Sequence, residues 1–278
     1  MNPACLYIVA TPIGNLADIS ERAVQILQKV DLIAVEDTRH SGKLLQHIGV
    51  ATPMTALHEH NESRKVEQLI ERLSTGESIA LISDAGTPLI SDPGYQLVKA
   101  ALAAEIKVSP IPGASALVAA LSVSGLPSDA FIFEGFLPNK SAGRLKKLGM
   151  LADESRTLIF YEAPHRIVAC LQDMQQVFGA ERKAVVAREL TKTFETIKND
   201  SLGNLLVWIE ADANQQRGEF VLLIQGKEKE PSTVDTEAEF ILETLMQELP
   251  LKQASQLAAK ITGIKKNTLY QIGLNKKQ

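Results

Sequence analysis

The first 110 residues alternate between short apolar runs and amphipathic stretches, and few folds accept such a pattern. Strand signals at 5–10, 31–36, 53–57, 78–83 and 106–110 are separated by helical periodicity at 20–29, 40–48, 61–74 and 94–104. Strands joined through helices run parallel, and the helices cover the sheet they connect. The run Pro110-Ile111-Pro112-Gly113 breaks the series. Two prolines and a glycine stop a helix or a central strand, so a hinge between two lobes is expected there. A helix rich in small residues at 114–122 follows, and then strand signals at 131–135, 157–161, 184–189 and 219–225 with helices at 144–152 and 164–177. These make a second α/β lobe.

Lys227 to Asp235 carries charge, Pro231 and Ser232 but no apolar period, as a linker does. Beyond it come helical patterns at 238–248, 251–261 and 267–274, with Thr262-Gly263-Ile264 as a tight turn, the outline of a helix-turn-helix-like unit. The expected organisation is α/β: lobes at 1–112 and 113–226 with a cleft between them, a linker at 227–236, and a small C-terminal helical unit at 237–278.

Open α/β sheets hold ligands at the carboxyl ends of their strands. The loop Ser83-Asp84-Ala85-Gly86-Thr87-Pro88-Leu89-Ile90-Ser91-Asp92-Pro93-Gly94 stands at such an end, after the strand Ser78-Ile79-Ala80-Leu81-Ile82. Gly86 and Gly94 permit close backbone approach to a ligand, and Pro88 and Pro93 stiffen the loop so that little ordering entropy is lost on binding. Thr11-Pro12-Ile13-Gly14-Asn15 forms a second loop of this kind after Leu6-Tyr7-Ile8-Val9-Ala10. Neither loop reads Gly-x-Gly-x-x-Gly and no Gly-Lys-Ser/Thr loop occurs, so dinucleotide and nucleoside-triphosphate sites lose their main support.

Composition narrows the function classes. A chain of 278 residues with 45% hydrophobic and 22% charged residues has the make-up of a soluble globular protein. It has no apolar run of membrane-spanning length and no signal-peptide flank. Cys5 and Cys170 lack metal-type spacing, which together with the absence of a leader predicts a reduced, cytoplasmic protein. His58 and His60 flank Glu59 without a third ligand at suitable spacing, so no metal is expected. The net charge of -4 is mildly adverse to nucleic-acid binding. Positive charge is nevertheless clustered: Lys140, Arg144, Lys146 and Lys147 in one group, and Lys252, Lys260, Lys265, Lys266, Lys276 and Lys277 in a tail with no acidic residue after 250.

Taken together, Leu6 to Leu16, Glu36-Asp37-Thr38-Arg39, Ser83 to Gly94, Pro110-Ile111-Pro112-Gly113-Ala114-Ser115 and Phe160-Tyr161-Glu162-Ala163-Pro164-His165-Arg166 resemble the tetrapyrrole-methylase-like S-adenosylmethionine-dependent methyltransferases, over roughly residues 5–226. The resemblance implies two lobes of the tetrapyrrole methylase type. Within the family it is to the branch that methylates small-subunit ribosomal RNA, which implies transfer to the ribose 2′-hydroxyl of a cytidine, on RNA either bare or within the assembled subunit, by a homodimer. The family's glycine-rich first loop is replaced here by Thr11-Pro12-Ile13-Gly14-Asn15, and the acidic residue common in porphyrin-modifying members corresponds to Thr87. Both departures favour the RNA branch over the alternative, a tetrapyrrole C-methyltransferase of cobalamin or sirohaem synthesis.

On this reading S-adenosylmethionine is held by Pro12, Ile13, Asp84, Ala85, Gly86, Thr87, Ile90, Ala114, Ser115 and Ala116. A ribose hydroxyl is a poor nucleophile near neutral pH, so an acceptor or base beside it helps. Glu36, Asp37, Arg39, Glu162 and His165 are the catalytic candidates, with Asp37 or Thr38 alternatively capping the next helix. Arg166, Arg188, Lys192, Lys140, Arg144, Lys265 and Lys266 are candidates for substrate contact. An ion pair of Glu162 with Arg166 is the structural alternative for those two.

Overall fold

The computed structural model describes residues 4–58, 62–228 and 233–276. Glu59 and His60, the middle of the proposed linker, and Lys277 lie outside the described residues. The chain divides into two compact units, Met1–Gly226 and Lys227–Gln278.

In the first unit the elements run β1 (Cys5–Val9), α1 (Glu21–Lys29), β2 (Leu32–Val35), α2 (Thr38–His47), β3 (Met54–Ala56), α3 (Glu62–Ser74), β4 (Ile79–Ile82), α4 (Tyr95–Ala103) and β5 (Lys107–Ile111). The strands form a parallel sheet in the order β3-β2-β4-β1-β5. The central strands β2 and β4 are buried along their whole length, which is why they read as unbroken apolar runs rather than alternations. Separate apolar clusters cover the two faces, one around Leu6, Leu81 and Leu97, the other around Val9, Leu27 and Ile33. The prolines do not end the strand where the sequence reading breaks the series. Pro110 lies inside β5, opposite Ile8, and a proline fits there because β5 is an edge strand.

The chain continues through α5 (Ala116–Ser124), β6 (Phe131–Phe136), α6 (Ser141–Met150), β7 (Thr157–Glu162), α7 (Ile167–Phe178), β8 (Lys183–Arg188), β9 (Thr196–Ser201), α8 (Leu202–Ala211) and β10 (Phe220–Ile224). The second sheet has the order β6-β7-β10-β8-β9. It is mixed: β6 and β7 are parallel, and β10 runs antiparallel to both β7 and β8. Strand β9 and helix α8 have no counterpart in the sequence reading. One face of the sheet packs on α6, α7 and α8 through Phe160, Met174 and Leu222; the other packs Ile159, Val185 and Leu223 against α5 and Ile13. Ile13 comes from the first loop, so this second core is shared between the lobes.

The second unit is a three-helix arrangement of α9 (Thr233–Glu248), α10 (Leu251–Thr262) and α11 (Lys266–Asn275) around Ala238, Leu242, Ala254, Ala258 and Leu269. Gly263 at φ 76 closes α10, and its left-handed backbone is what turns the chain into α11. The end of α11 is tied back to α9 by Lys276, whose Nζ lies 2.8 Å from Glu239 and 2.5 Å from Glu243.

Candidate active site

The two strand-end loops of the first sheet are locked to each other. Thr11 N–H donates to Gly86 O at 2.9 Å, Gly86 N–H donates to Thr11 O at 3.1 Å, and the Thr11 hydroxyl donates to Ser83 O at 3.2 Å. Gly86 has φ 82, and a methyl group on it would sit 3.3 Å from Ile13 and 3.7 Å from Ala114 O. The Thr87 hydroxyl then donates to Ala114 O at 3.0 Å, which carries the lock across to the start of α5. Three sequence-distant segments are thus held in one arrangement before any ligand arrives.

They wall one side of a cavity of about 340 Å³. Ile13, Asp84, Ala85, Thr87, Ile90, Ser115, Ala116 and Glu162, all anticipated, are part of its lining. Pro12, Gly86 and Ala114 are not part of that lining; Gly86 and Ala114 take part in the contacts between the loops. The facing wall was not anticipated: it consists of Phe136, Tyr161, Ala163 and Pro164 with Ala187, Leu190, Phe220 and Val221. Ser91 and Asp92 extend the first-sheet side, and Glu219 belongs to the facing wall. Tyr161 is fixed by the Leu117 N–H, which donates to its hydroxyl at 3.2 Å.

The cavity's charge is one-sided. Asp84, Asp92, Glu162 and Glu219 line it, and no Lys, Arg or His does so among the described residues. Burial, with the nearby Asp84 charge adding to it against a hydrogen bond from Ser83, pushes the Asp92 carboxyl up to about 6. Glu162 and Glu219 are compensated by Arg166 and Lys192, so it is the Asp84 and Asp92 carboxylates that favour a cationic ligand in this cavity. Its apolar body and its few carboxylates fit a molecule that carries sulfonium and ammonium charges on a largely apolar frame. S-adenosylmethionine has that character.

The catalytic candidates fall into three settings. Asp37 caps α2, accepting from Arg39 N–H at 2.8 Å, and its own N–H donates to Asp84 at 3.3 Å. The capping alternative is therefore realised, and the Arg39 guanidinium bonded to it holds its carboxyl down at about 2. Arg39 itself is 89% exposed. Glu36 is half-buried at the end of β2, and His165 is exposed in the turn after β7. Glu162 is different: its side chain has no exposure, and its Oε1 accepts from Ala163 N–H at 2.7 Å and from Arg166 at 2.6 Å. The ion-pair alternative is thus present, and the side chain of Asn139 accepts a further hydrogen bond from Arg166.

Two substrate candidates require correction. Arg144 is 3% exposed, with its Nε 2.6 Å from Asp173 and its other nitrogens donating to carbonyls of Pro138, Asn139 and Ala169. Arg188 is buried as well, donating to Arg217 O, Phe194 O and Asn214 O. Both guanidiniums are consumed in holding loops together, and neither is presented to a substrate. Lys192 is held by Glu189 and Glu219, each at 2.9 Å, and its stem fills the space that a side chain on Gly14 would need. Lys140 and Lys146 are exposed, while Lys147 pairs with Glu134 at 2.7 Å. In the second unit Lys265 and Lys266 open α11, the first exposed and the second half-buried. No group of His, Cys, Asp or Glu suited to a metal ion occurs among the described residues, and no helix there is long and apolar enough to cross a membrane.

Residues 5–206 match the family of tetrapyrrole (corrin/porphyrin) methylases, and residues 232–277 match the RsmI C-terminal HTH domain. Proteins named ribosomal RNA small subunit methyltransferase I are similar over nearly the full length. That of Pseudomonas aeruginosa is 56% identical over 99% of both chains; that of Vibrio cholerae is 56% identical over 97% of this chain and 94% of its own. Among solved structures, a diphthine synthase superposes with a TM-score of 0.61 at 17% identity, over 81% of this chain and 90% of that one. Uroporphyrin-III C-methyltransferase from Thermus thermophilus, complexed with S-adenosylhomocysteine, gives 0.56 at 14% identity, over 80% and 97%. At these identities the two structures speak for the fold.

Proposed function

The chain belongs to the tetrapyrrole (corrin/porphyrin) methylase family, and from that premise we propose that it transfers a methyl group from S-adenosylmethionine to small-subunit ribosomal RNA, at the ribose 2′-hydroxyl of a cytidine. The observation that carries the RNA reading is the end-to-end likeness to the ribosomal RNA small subunit methyltransferases I, the C-terminal helical unit included. The cavity's charge supports it. A tetrapyrrole precursor bears many carboxylates, and a cavity lined by Asp84 and Asp92, with Arg166 and Lys192 already paired to its Glu162 and Glu219, offers them no free counter-charge. The tetrapyrrole alternative is not favoured.

When bound, S-adenosylmethionine supplies the methyl electrophile and an excellent sulfonium leaving group. Ile13, Ala85, Thr87, Ile90, Ser115 and Ala116 are the residues that would hold it, with Asp84 and Asp92 opposite its positive charge. The protein's own task is alignment and exclusion of water. The interlocked loops keep their shape without ligand, so little binding energy goes into ordering them. The apolar facing wall keeps water out and strengthens the field of the carboxylates. Asp92, which lines the cavity and whose carboxyl burial raises to about 6, is proposed to accept the proton that the ribose hydroxyl gives up.

Arg39 and His165, exposed at the ends of β2 and β7, are proposed to meet the RNA, with Asp37 orienting Arg39. Glu162 and Arg166 hold the turn after β7 in place. Lys140, Lys265 and Lys266 are proposed to meet phosphates, and the protein is proposed to act as a homodimer in the cytoplasm, on RNA bare or within the subunit.

Transfer of a radiolabelled methyl group to unmethylated small subunits tests this reading. A 2′-O-methyl group blocks alkaline cleavage of the adjacent phosphodiester, so the label is expected in an alkali-resistant dinucleotide. Label in a mononucleotide, or in a porphyrinogen in place of RNA, refutes it.

A further inference from the structure

We infer that Phe136 is the platform on which the base of the target nucleotide stacks, and this rests on the RNA reading above. The residue owes its position to a defect in β6. The parallel pairing of β6 with β7 matches Phe133 to Ile159, then shifts, matching Gly135 to Phe160 and Phe136 to Tyr161. In a regular strand, residues three apart lie on opposite faces. The extra residue of the bulge brings Phe133 and Phe136 to the same face, against Tyr161 and the cavity. Gly135 makes the bulge possible. Its φ is 63, and a methyl group on it would stand 3.0 Å from the Ser91 hydroxyl of the opposite loop.

The result is an aromatic group held at one end and open at the other. Phe133 and Phe136 both meet the Tyr161 ring edge-to-face, at 4.8 and 5.7 Å between centroids, and Tyr161 is itself anchored to α5. Phe136 remains 54% exposed, and among the exposed large apolar side chains of the described residues it is the one that lines the cavity. A flat face of that size, fixed in position and left uncovered, suits a planar partner.

Charge selects a base with its phosphates outside. No Lys, Arg or His lines the cavity among the described residues, and Arg166 and Lys192 are already paired with its Glu162 and Glu219, so a phosphate finds no free counter-charge in its lining. The chain leaving Phe136 reaches Lys140 within four residues, and Lys140 and Lys146 are both exposed. A nucleotide entering here places its base on Phe136 and its phosphates on the lysine side, the usual division of work between aromatic and basic groups on single-stranded nucleic acid.

Methyl transfer to unmethylated small subunits is measured for Phe136→Ala, Phe136→Leu and Phe136→Tyr, alongside calorimetric titration with S-adenosylmethionine. The alanine and leucine variants are expected to raise the KM for RNA roughly 5- to 100-fold, with tyrosine restoring it and cofactor affinity changing far less than the KM in all three. In an RNA fragment whose target nucleotide keeps its ribose but lacks its base, the parental protein should lose as much as Phe136→Ala does on intact RNA. The alanine variant should lose little more on that fragment. An unchanged KM in Phe136→Ala, or a loss confined to cofactor affinity, overturns the inference while the parental protein still methylates RNA. If the parental protein transfers no methyl group to RNA, the reading beneath the inference fails as well.

Discussion

Asp92→Asn removes a charge that the fold holds at a cost. The Asp92 carboxyl rises from an ordinary 3.8 to about 6 because the folded chain strips water from it. Between those two values the native state keeps a proton that the unfolded chain has released, so stability falls as pH rises through that window and stays lowered above it. Two pKa units correspond to ~3 kcal/mol at face value. The group is only half-buried, and solvent screening reduces the figure to roughly 1 kcal/mol. Asparagine can accept the same hydrogen bond from Ser83 without charge. Urea unfolding at a series of pH values between 4 and 8 should give nearly equal stabilities for the two proteins at the acid end. The variant should gain about 1 kcal/mol as neutrality is approached. A difference that does not change across that range refutes the burial argument. The comparison must be between the two proteins, since Asp37 and Glu154, held down to about 2 by neighbouring arginines, act in the opposite direction at lower pH.

Other outcomes follow from the same geometry. Arg144→Ala leaves Asp173 buried without its partner and should cost about 3–5 kcal/mol in urea unfolding, much of it recovered in Arg144→Met with Asp173→Leu; a small loss would mean the pair is wetter than its burial indicates. Gly86→Val forces a β-branched side chain into left-handed backbone against Ile13, so calorimetry should detect no cofactor binding by a protein that still folds. Arg39→Ala and His165→Ala should raise the KM for RNA and leave cofactor affinity alone, and equal effects on both would move these residues into the cofactor site. Lys265→Ala with Lys266→Ala should flatten the salt dependence of RNA affinity by roughly 1 to 2 in log–log slope, whereas Lys276→Ala should leave that slope unchanged and loosen α11.

The alternation of strands and helices in the first sheet was legible because β2 and β4 are buried throughout and carry nothing but apolar residues. Strand β9 was not, since Thr-Ile-Lys-Asn-Asp-Ser at a sheet edge has a single large apolar residue and owes its form to pairing with β8. The loops of the site could be read from their turn-forming residues. Its facing wall could not: Ala187, Phe220 and Val221 look like any core strand, and which face they turn to the cavity depends on pairings across sixty residues. Arg144 and Arg188 were misread for a related reason. A basic cluster in the sequence does not record that Asp173 lies 29 positions further on and closes over one of its members.

Pro110, inside β5, also bears on how the sheet ends. Ile111 O accepts from the N–H of Ala10, the residue that follows β1, so by strand alternation the Pro110 nitrogen faces away from β1, toward the outer edge of β5. That edge lacks a donor where an incoming strand would need one. The opposite edge, β3, is only three residues long. A parallel sheet assembled from distant segments is slow to form and exposes its rims while it does so. Here both rims resist templating: one is blunted chemically and the other is too short to guide a neighbour. Self-association of this lobe is thereby steered away from strand addition, both during synthesis on a crowded ribosome and in the finished protein.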